Sequence, residues 1–192
     1  MAEFAQAEAL MQRALRISEK AFGPTHTLTA AIVSNLGLLA FEQHRDAQAA
    51  RYLERALKAM RDAKGYFRIA IIESHLAEVY LRQGKLGEAK PLLLHSIEIQ
   101  RRTFAGPHQT LAATLSTLAE VHAKGSERED AEVTFRESIA MFEAAGGKPS
   151  PAYVEALQRY AGLLRKSRRK SEAAAVQTRA NTAAGFQSAS LP

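Results

Sequence analysis

The sequence has 192 residues, with 26 Lys or Arg, 20 Asp or Glu, and no cysteine or tryptophan. The lack of cysteine excludes a disulfide scaffold and a Cys-ligated zinc site, and no apolar run is long enough for a membrane helix. The 37 alanines and 21 leucines outnumber the 14 valines and isoleucines, which favours helices over strands. Residues 1–147 hold 18 basic and 18 acidic side chains, so the whole positive excess lies in residues 148–192.

A pattern of small side chains recurs along the chain at intervals of 40 or 42 residues. Its core is a pair of small residues seven positions apart, and the five pairs are Ala7/Ala14, Ala49/Ala56, Ala89/Ser96, Ala131/Ser138 and Ala173/Ala180. Twelve residues before each of the last four pairs stands another small residue, namely Gly37, Ala77, Ala119 or Ala161. We call all of these the marker residues. Because small side chains let helix axes approach closely, the pattern indicates repeated helix pairs.

The apolar periodicity predicts nine helices of two alternating kinds. They lie near residues 3–22, 27–44, 47–64, 67–83, 86–105, 109–124, 128–145, 151–166 and 170–184. We call the two kinds first helices and second helices, and the helix at 27–44 is a first helix. A first helix carries an apolar stripe such as Leu115, Leu118 and Ala119. A second helix follows it after a short polar turn. Glu73 is an exception, since it stands within the apolar stripe of its first helix.

The marker pattern resembles the tetratricopeptide repeat, because a Leu-Gly or Leu-Ala pair is followed by an alanine and then by a large apolar residue such as Leu53, Leu93 or Phe135. That family has a usual period of about 34 residues. The longer period here, and the Gly-Pro junctions at 23–26 and 106–108, resemble the long repeats of kinesin light chains and their bacterial relatives. The junction at 64–67 lacks this Gly-Pro pair, and Arg61 stands where a proline usually ends the second helix.

The resemblance implies an all-α fold, a right-handed α-solenoid of antiparallel helix pairs. We expect a single array over residues 1–184, followed by a tail at 185–192. The array would consist of a half repeat at 1–24 and repeats at 25–65, 66–106, 107–148 and 149–184.

The two ends of the predicted array differ. Gln177 and Asn181 replace apolar residues in the last helix, as expected of a helix that caps a stack. The helix that opens the chain, near residues 3–22, is of the second kind. It has an apolar face, and no helix of the first kind precedes it. We expect the chain to be a fragment of a longer array. The alternative is that another molecule covers this face, for which self-association through the N-terminal helix is one case.

Enzyme motifs are absent from the sequence, which has no Gly-rich phosphate loop, no His-Glu-x-x-His and no Gly-x-Ser-x-Gly. His26 and His108 recur at the junctions, where we expect them to set the start of the next helix. His122 occupies a core-stripe position typical of a structural histidine, and the acidic residues at 127–132 open a helix, where the macrodipole favours negative charge. We therefore expect no catalysis, no metal and no cofactor.

The run Arg165-Lys166-Ser167-Arg168-Arg169-Lys170 has two interpretations. The first is a solvated turn, since cations are favourable at a helix C-terminus. The alternative is binding of nucleic acid or another anion through residues 159–170. Nucleic acid is disfavoured, because no aromatic residue is interleaved for base stacking.

First helices line the concave side of a right-handed stack of helix pairs, so their non-core face predicts a peptide-binding groove. The predicted groove residues are Ser34, Asn35, Leu38, Phe41, Ser74, His75, Glu78, Arg82, Ser116, Thr117, Glu120, Lys124, Gln158, Arg159 and Lys166. The three serines are either a row of hydroxyl groups along the groove or small residues that avoid crowding.

The sequence thus predicts a non-catalytic scaffold or regulatory docking module that binds a protein or peptide segment. We expect an apolar anchor of the ligand near Phe41 and an acidic end near Arg159. Since no signal or transmembrane segment is seen, a cytoplasmic location is the default expectation.

Overall fold

The computed structural model describes residues 2–60 and 66–188, and within them it contains helices and no strand. The helices are α1 Ala2–Phe22, α2 Thr27–Glu42, α3 Asp46–Met60, α4 Tyr66–Arg82, α5 Leu86–Thr103, α6 Gln109–Lys124, α7 Arg128–Ala145, α8 Pro151–Lys166 and α9 Lys170–Ser188. The predicted all-α class is confirmed for this part of the chain. None of these helices combines the length and apolar character that crossing a bilayer requires.

The observed helix ends lie within two residues of the predicted ones, with two exceptions. The last helix runs to Ser188 rather than ending at 184. The predicted end of the third helix and most of the junction at 64–67 lie outside the described residues, as does the end of the tail.

The chain forms two compact units, Met1–Ile99 and Gln100–Pro192. In the first unit α1 packs on α2, α2 on α3, and α4 on both α2 and α3. In the second unit α6 packs on α7, α8 on α9, and α8 also contacts α6 and α7. The first helices α2 and α4 are therefore neighbours in one unit, and α6 and α8 are neighbours in the other. The single array predicted over residues 1–184 stays a prediction.

The marker residues of α3, α5, α7 and α9 are at most 2% exposed. A Cβ atom added to Gly37 of α2 would lie 2.8 Å from Leu53 Cγ of α3, which shows how closely the two helices approach. Where the marker is a serine, its hydroxyl donates a hydrogen bond to a carbonyl group of the preceding helix. Ser138 Oγ donates to the Ala112 carbonyl at 2.7 Å, and Ser96 Oγ does the same to Ala70. A small side chain with a nearby acceptor can thus replace alanine at these contacts.

The two Gly-Pro junctions share a histidine that starts the following helix. Nδ1 of His108 accepts a hydrogen bond from the Thr110 amide at 3.2 Å, and Nδ1 of His26 accepts one from the Leu28 amide at the same distance. Each imidazole also stacks on a phenylalanine four residues earlier, with ring centroids 3.6 Å apart for Phe104 and His108. These contacts confirm that the junction histidines set the start of the next helix, as N-caps do.

Ion pairs between residues 36 or 37 positions apart recur in both units. Each links a second helix, or the turn leading into one, to the following repeat. Among the described residues these pairs are Glu8–Arg45, Glu19–Arg55, Asp46–Arg82, Arg101–Glu137, Glu132–Arg169 and Glu143–Arg179. We call them the inter-repeat ion pairs.

Candidate peptide-binding surface

The non-core face of α2 and α4 forms the predicted groove surface in the first unit. Asn35 is exposed, and Leu38 and Phe41 are half-buried. The guanidinium of Arg82 lies 3.4 Å from the ring centroid of Phe41, and its Nη2 donates to the Phe41 carbonyl at 2.9 Å. Arg82 is also ion-paired with Asp46. The predicted apolar anchor therefore already has a cation over its ring.

His75 and Glu78 are half-buried on the same face of α4. Burial lowers the pKa of His75, because desolvation disfavours the charged imidazole. The ring is therefore neutral at pH 7. A neutral imidazole can donate one hydrogen bond and accept another, so His75 suits recognition of a polar backbone group.

The three predicted groove serines are not presented as a row of accessible hydroxyls. Ser34 and Ser116 are buried, Ser116 being only 3% exposed. The Ser74 hydroxyl donates to the Ala70 carbonyl at 3.0 Å and lies 2.7 Å from Ser96 Oγ. The reason is helical geometry, since a residue three before the marker lies only about 60° around the helix from it. The structure favours the interpretation of these serines as small residues that avoid crowding.

The corresponding face of α6 and α8 in the second unit is a network of ion pairs. Glu120 Oε2 lies 2.8 Å from Arg159 Nε, and Glu120 Oε1 lies 3.3 Å from Lys124 Nζ. Arg159 is bound by Glu155 as well, at 2.5 Å. The arginine expected to receive an acidic ligand is therefore already neutralised by two carboxylates.

The other predicted groove residues of this unit differ in exposure. Thr117 is buried, with Oγ1 donating to the Ala113 carbonyl at 3.3 Å. Gln158 and Lys166 are exposed.

The exception in the apolar stripe, Glu73, makes a hydrogen bond with a histidine that the sequence did not reveal. Its side chain is buried, and both carboxylate oxygens lie 2.8–2.9 Å from Nδ1 of His95 on α5. Desolvation raises the pKa of Glu73, and the hydrogen bond and charge of His95 offset this only in part. His95 occupies an exposed position of a second helix, where a hydrophilic residue is expected in any case, so no sequence pattern links it to Glu73.

A cleft of about 550 Å³ in the first unit was also not predicted. Its lining residues are Glu54, Leu57, Lys58, Leu76, Tyr80, Glu88, Pro91 and Leu92. The Tyr80 hydroxyl donates to Glu54 at 2.7 Å, and burial together with the Glu54 and Glu88 carboxylates raises the pKa of Tyr80 to about 12. The cleft is bordered largely by the second helices α3 and α5, so it lies outside the predicted groove.

His122, Glu127 and Asp130 bring their potential metal-ligating atoms within 4.8 Å of one another in the part of the chain that the structure describes. His122 is buried, and its Nδ1 is hydrogen-bonded to Glu127. His122 is thus hydrogen-bonded as expected, and its structural role stays a prediction.

The basic run between α8 and α9 is partly engaged in contacts of its own unit. Arg169 is bound by Glu132 at 2.6 Å and by Glu172 at 2.5 Å, and Arg165 Nη1 donates to Gln177 at 3.3 Å. Among the described residues, the remaining cations Lys166, Arg168 and Lys170 are exposed and make no ion pair.

A family model described as tetratricopeptide repeat matches residues 1–62 and 68–144. Comparison with curated proteins finds no match.

Several solved structures resemble the whole chain. BtubC (BKLC) from P. vanneervenii is similar over 99% of this chain and 76% of its own, with a TM-score of 0.80 and 19% identity. The nearly identical TPR-like repeats of a kinesin light chain candidate from Podosopora anserina are similar over 98% of this chain and 90% of their own, with a TM-score of 0.76 and 17% identity. A Rap protein complexed with Competence and Sporulation Factor is similar over 96% of this chain and 50% of its own, with a TM-score of 0.81 and 16% identity. At these identities the likeness shows the fold, and it confirms the long-repeat solenoid class predicted from the marker intervals.

Proposed function

Since the chain belongs to the tetratricopeptide repeat family, we propose that it is a non-catalytic docking module that binds a segment of another protein on its first helices. Repeat families of this kind use the surface of their stacked helices for binding. Among the structurally similar proteins, the Rap protein is complexed with Competence and Sporulation Factor, which supports a binding role for this fold.

The observation that carries the proposal is the surface of α2 and α4 in the first unit. These neighbouring helices carry Asn35, Leu38 and His75 on the faces turned away from the core stripe. The surface combines an exposed amide, a half-buried leucine and a neutral imidazole, and these groups suit the backbone and an apolar side chain of a peptide. The nearby Phe41 ring is covered on one side by Arg82, so an apolar ligand group would pack beside Leu38 and against the edge of this pair.

The ligand predicted from the sequence has an apolar anchor and an acidic end, and the support for these two features differs. An apolar anchor on the first unit agrees with Leu38 and Phe41. An acidic group at Arg159 of the second unit would have to compete with Glu120 and Glu155. We therefore propose that α2 and α4 provide most of the binding free energy.

A random peptide library selected against the full chain, followed by fluorescence anisotropy of the selected peptides, tests the proposal. We expect Leu38→Ala and Asn35→Ala each to weaken binding by about 1–2 kcal/mol, the size of a moderate interface contact. Leu94→Ala is the matched control, because Leu94 is an exposed leucine on a second helix. Equal binding by the parent and both groove variants, or a loss only in the control, would contradict the proposal.

A second candidate function is anion binding at the turn between α8 and α9. It is favoured by Lys166, Arg168 and Lys170, whose exposed cations make no ion pair among the described residues. An unpaired cluster of this kind attracts anions through long-range electrostatics.

A further inference from the structure

The outer face of α1 differs from the same face of the other second helices. The marker residues of α3, α5, α7 and α9 are buried, at most 2% exposed, against neighbouring helices. In α1 the equivalent Ala7 is half-buried and Ala14 is exposed. An adjacent side of the helix is packed normally, because Leu15 is buried in the core of the first unit.

Large apolar side chains accompany these alanines on α1. Leu10 and Ile17 are each 60% exposed, and Ala21 is exposed as well. Residues 7, 10, 14, 17 and 21 follow the alternating three- and four-residue spacing of a coiled-coil seam. We call these five residues the α1 seam. A continuous apolar stripe exposed in this way marks a contact surface for another helix.

We propose that the α1 seam pairs with the α1 seam of a second copy of this chain, with the two helices antiparallel. In the best register, Ala7 lies opposite Ile17 of the second copy, and Leu10 lies opposite Ala14. Because the pair is two-fold symmetric, the same two contacts occur again with the two copies exchanged, which gives four layers of facing residues. Every one of these four layers sets an alanine against a leucine or isoleucine, which is the alternation that lets helices interdigitate at close range.

The charges at the two ends of the seam favour both a second copy and the antiparallel direction. Glu3 lies four residues before Ala7 and extends the line of the seam, whereas Lys20 lies beside its last residue, Ala21. Both charged side chains are exposed and make no ion pair among the described residues. In the antiparallel register, Glu3 lies opposite Ala21 of the second copy and next to its Lys20, and the symmetry repeats this pair at the other end. Parallel pairing would instead set Glu3 against Glu3, which is unfavourable.

The other acidic residues of α1 are used within the unit. Glu8 pairs with Arg45 at 2.8 Å, and Glu19 pairs with Arg55. Among the acidic side chains of α1, Glu3 is therefore the one left for a partner, and it lies at the opposite end of the helix from Lys20. The charges that border the seam are thus complementary to those of a reversed copy of the same helix.

Arg13 is a charge that this arrangement places less favourably. It lies beside the seam close to the two-fold axis, so the pairing brings the Arg13 side chains of the two copies near each other. Because the side chain is long and exposed, its guanidinium can extend into solvent, which keeps the repulsion small. We expect Arg13→Gln to tighten the dimer about twofold, and a weaker Arg13→Gln dimer would contradict the proposed register.

Sedimentation velocity of the full chain over a wide concentration range tests the association. We expect a reversible species of twice the 21.0 kDa mass of one chain. The double variant Leu10→Gln/Ile17→Gln should raise the dimer dissociation constant at least about tenfold, while circular dichroism shows an unchanged helix content. Val133→Gln is the control, because Val133 is 65% exposed on α7 and lies outside the seam. A chain that stays monomeric at every concentration, or a dimer indifferent to the double variant, overturns the proposal.

Disulfide trapping tests the direction, and the chain suits it because it contains no cysteine. In the proposed register, position 7 faces position 17 of the second copy, whereas two positions 7, or two positions 17, are about 15 Å apart along the helix axis. A disulfide needs Cα atoms within about 7 Å. We therefore expect a mixture of the Ala7→Cys and Ile17→Cys chains to cross-link to each other, and neither variant to cross-link alone. Efficient cross-linking of each variant with itself would show another arrangement and overturn the antiparallel pair.

A charge exchange gives an independent readout. Glu3→Lys and Lys20→Glu should each weaken the dimer about two- to fivefold, since each variant sets like charges side by side at both ends of the seam. The combined variant should recover the parent dissociation constant, because each copy then presents the exchanged pair to the other. Failure of the combined variant to recover dimerisation, with both single variants weakened, would place these charges elsewhere and overturn the proposed register.

Discussion

Gly37 lies where α2 and α3 approach too closely for a Cβ atom. The equivalent marker positions in the other first helices are alanines, yet here a Cβ would lie 2.8 Å from Leu53 Cγ and 3.0 Å from Leu53 Cδ2. Leu53 is fully buried and cannot swing away. Its branched γ-carbon therefore makes glycine the residue that fits this contact.

We expect Gly37→Ala to lower the free energy of unfolding by about 1 kcal/mol, although helix propensity alone would raise it by about that amount. Gly87→Ala is the matched control, because a Cβ there meets no atom within 4 Å. It should gain about 0.5–1 kcal/mol. Urea unfolding of the three chains measures both effects, and a stabilised Gly37→Ala chain would mean that α2 and α3 can separate without cost.

Glu73 allows a pH test of a buried carboxylate. Its pKa is raised above the ordinary value of 4.5, so the folded state favours the protonated acid. The stability of the parent relative to Glu73→Gln should therefore be greatest below pH 4.5 and should fall as the pH rises through the raised pKa of Glu73. Urea unfolding of both chains from about pH 4 to about pH 8 measures the difference. A parent that gains on the variant with rising pH would show that His95 outweighs desolvation.

The exposure of individual side chains shows which of the groove residues could be predicted from the sequence. Asn35 is exposed as expected, because its position on the helix lies far around from the core. Gln158 is exposed as well, although it occupies the same position relative to its marker as the buried Ser34 and Ser116. Ser116 and Thr117 are buried, since the neighbouring helices cover more of α6 than its own periodicity indicates. The contact of Arg82 with Phe41 joins residues 41 positions apart, and such a pairing depends on tertiary packing rather than on a local pattern.

At the scale of elements, the helix starts at α2 and α6 depend on the junction histidines. His108 combines an N-cap hydrogen bond with a close stack on Phe104, whereas the stack of His26 on Phe22 is wider, at 4.8 Å. The two functions of the ring act together, since stacking fixes the orientation in which Nδ1 faces the Thr110 amide.

We expect His108→Ala to lower the free energy of unfolding by about 1–2 kcal/mol, through loss of the cap and of the stack. His108→Asn should recover part of this, because its side-chain oxygen can cap the helix without stacking. Thermal unfolding followed by circular dichroism compares them, with His26→Ala expected to lose less. An asparagine variant as unstable as the alanine variant would assign the whole effect to the ring.

The elements themselves followed from the sequence more closely than any contact between them. Marker spacing and apolar periodicity predicted the helices, because each helix pair repeats the same pattern of small and apolar residues. The cleft between α3 and α5 was missed because it arises from side chains of three helices, among them Leu57, Tyr80 and Leu92, that share no sequence pattern.

At the scale of the whole molecule, charge is unevenly distributed, and three of the eight basic side chains of residues 148–192 have acidic partners among the described residues. Arg159, Arg169 and Arg179 are all ion-paired. Among the described residues of the turn between α8 and α9, the cations at 166, 168 and 170 make no ion pair, and they decide whether this segment is a solvated turn or an anion-binding site.

We expect the variant Lys166→Gln/Arg168→Gln/Lys170→Gln to bind a labelled single-stranded oligonucleotide less tightly than the parent if the turn is an anion site, with a salt dependence of log affinity shallower by about two units. Fluorescence anisotropy at several salt concentrations measures both quantities. The control is Arg51→Gln/Arg68→Gln/Arg128→Gln, which removes three exposed cations that lie outside both the turn and the α1 seam. Equal losses in the two variants would reflect net charge alone and would reject a specific site.

The inter-repeat ion pairs constrain how the chain can change in length. Each joins residues 36 or 37 positions apart, so one residue inserted within a helix between the partners would turn the later side chains by about 100° and separate the charges. The same insertion would rotate the marker residues away from their contacts. Insertions and deletions should therefore be tolerated in the turns, whereas helical segments can be added or removed only as complete helix pairs that keep the contacts in phase.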